Sequence, residues 1–149
     1  MIRKRIVLGI SLLCFSILAC KSKPYSKETK QFNQYLQEQF GLSLKDNKQT
    51  YILIAKNGCM GCMQKYLMYI SQSVNAENIK HLIFISSNNI IVPEELANKV
   101  KIYQDNKGEL DRLLIDVVNV VLVETENKRI DTIRHLQLCD TLKIRGYLK

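Results

Sequence analysis

The chain has 149 residues, with 22 Lys and Arg against 14 Asp and Glu, a formal net charge of +8, and five cysteines. That length suits one domain of ordinary size and leaves no room for a second. The basic residues form none of the aromatic-flanked clusters that bind nucleic acid, so no nucleic-acid partner is expected.

Arg3, Lys4 and Arg5 precede an apolar run from Ile6 to Ala19, 14 residues long. A membrane-spanning helix needs about 20 such residues, whereas a signal-peptide core needs fewer. The run ends in Ile17-Leu18-Ala19-Cys20 and resembles a bacterial lipoprotein signal, in which cleavage before the cysteine leaves that cysteine as a lipidated N-terminus. The pattern prefers Leu three places before the cysteine, where this chain has Ile17. The resemblance implies a signal peptide over residues 1–19, lipidation at Cys20, a tether over 20–31 and a folded domain over 32–149. It also implies a bacterial cell-envelope location, with the domain held to a membrane outside the cytoplasm. Loss of Arg3, Lys4 and Arg5 would take 22 basic residues to 19 against the same 14 acids, a net charge of +5. Lys21, Lys23, Lys27 and Lys30, opposed only by Glu28, suit a tether lying on anionic head groups.

Phe32, Tyr35, Leu36 and Phe40 recur at helical spacing, and Gly41 offers a cap, so a helix is predicted there. Tyr51 to Ala55 is an apolar run suited to a buried strand, broken by Asn57-Gly58. A second helix follows, with Cys62, Tyr66, Leu67, Ile70 and Val74 on one face that should lie on a sheet. His81 to Ser86 reads as a strand, Pro93 to Lys99 as a short helix with proline in its first turn, and Lys101 to Gln104 as a short extended piece. Val117 to Glu124 and Arg129 to His135 read as two strands joined by Thr125 to Lys128, and the last residues are ambiguous. Strand, helix, strand in the first half implies a parallel crossover, and the later pair implies a hairpin.

The chemistry concentrates at Cys59-Met60-Gly61-Cys62, placed where a strand ends and a helix opens. A cysteine in the first helical turn meets free backbone N–H groups at the positive end of the macrodipole, and both favour thiolate over thiol. The thiolate is the attacking species in disulfide exchange. A second cysteine one turn on can attack the mixed disulfide formed by the first, so Cys59 is read as nucleophile and Cys62 as resolving thiol. Cys14 would leave with the signal and Cys20 would carry lipid, so only Cys59, Cys62 and Cys139 remain for the domain. That excludes a disulfide-stapled scaffold. A bond between Cys59 and Cys62 closes too short a loop to restrain the unfolded chain, so function explains the pair better than stability. Cys139 reads as a small buried apolar residue, or as a third redox thiol.

With these motifs in place the chain resembles a thioredoxin-like domain of the membrane-tethered type, over about Tyr51 to His135. The residues that carry the resemblance are the Cys59 to Cys62 motif after a strand, the run Val100 to Leu110 containing Asp105 and Gly108, and Val118 to Glu124 followed by a turn into a last strand. The resemblance implies an α/β, three-layer fold with a central mixed sheet and helices on both faces. It implies thiol–disulfide oxidoreductase activity with no cofactor beyond the cysteine pair and no metal. It further implies protein or small-molecule thiols and disulfides as partners, and a membrane electron donor if the protein works as a reductase or relay. The family usually has a cis-proline before the penultimate strand, but Val117-Val118-Asn119-Val120 contains none. A trans peptide is expected there, since a non-proline cis bond costs roughly 2.5–4 kcal/mol. The resemblance implies that Val118 and Asn119 fall where the family binds substrate backbone. Leu53 stands where thioredoxins carry a buried acid, Gly58 replaces the usual aromatic, and Lys56 offers partial electrostatic compensation.

Two other readings fit the same residues. A fold that has lost the proline and the acid can serve as a non-catalytic binding module. Cys59, Cys62, Met60, Met63 and Met68 also offer soft sulfur ligands suited to a Cu(I) carrier, although methionines near a helix start more often pack. A zinc site would need His81, His135 or Cys139 to converge on the pair. Met63 stands where the axial histidine of a haem-attachment motif would be, which disfavours haem. His81 and His135 are read as strand-end residues, not as site residues.

Overall fold

The computed structural model describes residues 24–55, 59–75, 79–87, 90–137, 140 and 143–148. The expected signal and Cys20, together with Lys56, Gly58 and Cys139, lie outside them. Among the described residues no helix is long and apolar enough to cross a membrane.

The strands are β1 (Gln49–Ile54), β2 (Leu82–Ser87), β3 (Ile102–Asp105), β4 (Val120–Glu126) and β5 (Arg129–His135). The helices are α1 (Ser26–Phe40), α2 (Met60–Ser73), α3 (Glu94–Ala97) and α4 (Ile144–Tyr147). One sheet holds all five strands in the order β3-β2-β1-β4-β5. β1, β2 and β3 run parallel, while β4 is antiparallel to β1 and forms a hairpin with β5. The mixed sheet, its crossover through α2 and its terminal hairpin make the fold thioredoxin-like, as expected.

β1 sits at the centre and all six of its residues are buried. Successive side chains of a strand point to opposite faces, so β1 supplies both cores at once. Tyr51, Leu53 and Ala55 join Phe32, Tyr35 and Leu36 of α1 with Ile85, Val121 and Val123. Ile52 and Ile54 join Met63, Tyr66, Leu67 and Ile70 of α2 with Phe84, Val120 and Leu122, and Leu96, Ile144 and Leu148 close that layer. The sheet is thus covered by helices on both faces. A strand buried on both sides reads as a continuous apolar run, which is why Tyr51 to Ala55 shows no alternation in the sequence.

Of the expected α1 stripe, Phe32, Tyr35 and Leu36 are buried, with the Phe32 ring edge-on to Tyr51 at 5.1 Å, and Phe40 at the helix end is only partly buried against the same core. Gly41, at φ 65°, ends the helix in the left-handed region, and its amide and that of Leu42 return to the carbonyls of Gln37 and Leu36. The helix begins at Ser26, so residues 26–31, read from the sequence as the end of the tether, belong to it. Thr29 in this turn accepts the amide of Ile130 through Oγ1 at 3.1 Å, fixing α1 to β5. Gln31 bonds both the Arg112 carbonyl (3.1 Å) and the Leu114 amide (2.6 Å), holding the segment that leads towards β4.

Asp105 ends β3 with 1% of its surface exposed. Its carboxylate accepts the amides of Lys107, Gly108 and Leu110, turning the chain sharply into the 3-10 turn Glu109–Arg112. Gly108 allows that turn through its φ of 72°. The motif run around Asp105 and Gly108 therefore organises the edge of the sheet.

Candidate functional site

The carboxyl ends of β1 and β2 and the start of β4 meet at one end of the sheet, because Ile54 pairs with both Ser86 and Val120. This is the edge at which open α/β sheets build their sites. Cys59 lies there as the N-cap of α2, with extended backbone (φ −65°, ψ 111°), and the first helical bond runs from the Met63 amide to its carbonyl at 2.9 Å. The amides of the first turn are therefore without helical partners. The first turn of α2 carries no acidic residue to oppose an anion.

Cys59 is exposed and Cys62, one turn further on, is partly exposed; both are free thiols. The Cys62 thiol donates to the Cys59 sulfur, and the amides of Cys62 and Gly61 add further hydrogen bonds, so the Cys59 thiol is held below its ordinary value. Cys62 moves the other way, because ionising it would forfeit its hydrogen bond to Cys59, and burial and the neighbouring sulfur charge act in the same sense. Lys65 opposes that rise. Two identical side chains are thus shifted in opposite directions, Cys59 towards the thiolate and Cys62 away from it. This asymmetry is what sequential attack requires.

Asn119 ends the loop that approaches the pair from β4. Its Oδ1 accepts the Cys59 amide at 2.8 Å and its main-chain carbonyl accepts the Ala55 amide at 2.9 Å. No peptide among the described residues is cis, and Asn119 instead turns the chain with φ 58°. The neighbouring Val118 is 51% exposed, and Met60, beside Cys59 in sequence, is 55% exposed. Cys59, Cys62 and Asn119 are brought together, and Val118 adjoins them through Asn119.

Tyr66, Leu67, Ile70 and Val74 of the expected α2 face are buried, and the face departs from expectation only at its first member. Met63 is fully buried with Tyr66, Leu67 and Ile70, while Cys62 lies at the margin of the core. Neighbouring helix residues point about 100° apart, so with Met63 turned into the core Cys62 is left at its edge, partly exposed beside Cys59. Met63 is consequently a packing residue. Leu53 is buried on the α1 side of β1, so no acid stands beneath the pair at that position. His81 lies beside the start of β2, at the opposite end of the sheet from the cysteines, and His135 ends the edge strand β5, opposite Val121. Among the described residues no group of three or more His, Cys, Asp or Glu side chains is placed to hold a metal ion.

What the sequence reading missed is the double hold of Asn119 on Ala55 and Cys59, and the bracing of the preceding segment by Gln31. The available signal was an asparagine just before a strand, a residue type that tolerates left-handed backbone.

No family model matches the chain, and no curated protein does. Among solved structures, the reduced form of the N-terminal domain of PilB from N. meningitidis, determined in solution, is similar with a TM-score of 0.41 and 14% identity. The alignment covers 70% of this chain and 82% of that one.

Proposed function

We propose that the protein is a thiol–disulfide oxidoreductase of the bacterial cell envelope, tethered to a membrane through a lipidated Cys20 and working as a reductase or electron relay. The observation that carries this reading is the placing of two free thiols one helical turn apart at the exposed start of α2, with the Cys59 amide held by Asn119. The opposite directions in which the two thiols are shifted agree with it. The Cys59 thiolate attacks one sulfur of a partner disulfide, forming a mixed disulfide and releasing the other sulfur as a thiolate, which takes a proton. Cys62 then loses its proton and attacks the Cys59 sulfur, which frees the partner's second thiol. Two electrons have passed to the partner, and the chain holds a Cys59–Cys62 disulfide. A dithiol donor on or at the membrane returns it to the reduced form.

The test is to equilibrate the full chain in detergent against dithiothreitol or glutathione buffers and count alkylated thiols. A reversible two-electron couple is expected. A potential near about −270 mV marks a reductant and one near about −120 mV an oxidant. Cys62→Ser should trap a mixed disulfide at Cys59, and Cys59→Ser should form none. If no reversible Cys59–Cys62 bond forms under any buffer, the oxidoreductase reading is wrong.

A further inference from the structure

Asn119 holds both flanks of the connection between β1 and α2. Ala55, on one side, is buried at the end of the central strand, whereas Cys59, on the other, is exposed. Through its main-chain carbonyl and its Oδ1, one residue ties the exposed cysteine to the buried strand end. The arrangement depends on the left-handed backbone at residue 119, which places the carbonyl and the side chain on these two amides together. Asparagine adopts that conformation more readily than other non-glycine residues. The segment before it is braced by Gln31 and by burial of Leu113, Ile115 and Val117 in the α1-side core, so the anchor is itself anchored. With Oδ1 engaged by Cys59, the side-chain Nδ2 has no partner among the described residues.

We propose that Asn119 is a positioning residue for Cys59: it fixes the main chain of the nucleophile to the start of β4, and it does so with a neutral acceptor that leaves the thiolate unopposed. The proposal rests on the reading of Cys59 as the nucleophile. Neutrality matters because a carboxylate in the same place would keep the hydrogen bond but set a like charge beside the developing thiolate. Like charges this close disfavour the ionised form.

Two variants separate the parts of the claim. Asn119→Gly keeps the left-handed backbone and removes Oδ1, and Asn119→Asp keeps the backbone and the acceptor but adds charge. The readouts are the pH profile of iodoacetamide alkylation at Cys59, resolved by mass spectrometry, and amide exchange at Cys59 by NMR, both on the full chain in detergent. Asn119→Asp should move the Cys59 midpoint upward by about one pH unit. Asn119→Gly should speed exchange of the Cys59 amide by about tenfold, the effect of losing a hydrogen bond of about 1.4 kcal/mol. An unmoved profile in Asn119→Asp overturns the proposal, as does a Cys59 amide equally protected in Asn119→Gly, whatever happens to the melting temperature. Neither readout needs turnover of a disulfide, so the positioning role and the oxidoreductase reading stand or fall separately.

Discussion

Cys59 and Cys62 differ because of their places in one turn of helix, not because of their chemistry. Cys59 receives hydrogen bonds from the Cys62 thiol and from the amides of Cys62 and Gly61, and Cys62 is the donor. Cys62→Ala should therefore raise the pH midpoint for alkylation of Cys59, because the largest of the three stabilising bonds is lost, yet leave it below that of a free thiol because the amides remain. Cys59→Ala should lower the Cys62 midpoint, since both the hydrogen bond and the nearby charge disappear. Measuring the two profiles by mass spectrometry checks this, and identical midpoints for the two cysteines in the parent chain would contradict the asymmetry. The pair was legible in the sequence through its spacing and its place between an apolar strand and a helix. The role of Asn119 was not, because its bonds to Ala55 and Cys59 join distant parts of the chain, 60 positions apart in the case of Cys59, and rest on a backbone angle that spacing does not report.

Among the elements, the β4–β5 hairpin shows how a local rule is met at one position and strained at the next. Asn127 and Lys128 both have positive φ, 51° and 59°, which is the two-residue type I′ turn favoured by the twist of antiparallel strands. Asparagine suits the first position, whereas lysine at the second occupies a region that costs a non-glycine residue about 1 kcal/mol. The turn is further held by amide bonds from Asn127 and Lys128 to the carbonyls of Asp46 and Lys45. The Lys128–Asp46 ion pair, at 3.0 Å, is largely exposed and adds little. Lys128→Gly should thus raise stability by about 0.5–1 kcal/mol, read as a higher urea midpoint with an unchanged slope. A lower midpoint would show that the ion pair outweighs the backbone strain. The expected β4 began at Val117, but Asp116 and Asn119 both have positive φ and the ladder opens only at Val120. An apolar run of valines predicts a strand from side-chain preference; tertiary bonds delay its start here, and it runs on through Thr125 and Glu126, which were expected in the connection.

At the scale of the whole molecule, the α1-side core holds two tyrosines that resist ionisation. Burial, with the nearby Tyr103, pushes Tyr51 up to about 12, and burial together with the Asp105 carboxylate pushes Tyr35 up as well. Below about pH 10 the folded and unfolded chains both keep these protons, so neither tyrosine makes stability depend on pH. Above it the unfolded chain releases protons that the folded chain retains, so stability falls as pH rises, by at most about 1.4 kcal/mol per pH unit for each group. Urea midpoints taken at pH 8, 10 and 11 should decline across the upper interval, and Tyr51→Phe should decline less steeply than the parent. Equal slopes for the two chains would remove Tyr51 from the effect. The core that produces these shifts is also what makes the site: α1 and the segment from Leu110 to Val117 cover the sheet face against which Asn119 is braced.

The amino-acid sequence by itself determined the α/β class, the strand-to-helix placement of Cys59 and Cys62, the buried stripe of α1 and the terminal hairpin. Each is written in neighbouring residues, as an apolar period, a cap or a fixed spacing. Only the tertiary structure decided that Met63 rather than Cys62 enters the core, that β4 starts at Val120, and that Asn119 joins Ala55 to Cys59. These outcomes depend on the rotation of a helix against a sheet and on hydrogen bonds between distant segments, which exist only once β1 and β4 lie side by side.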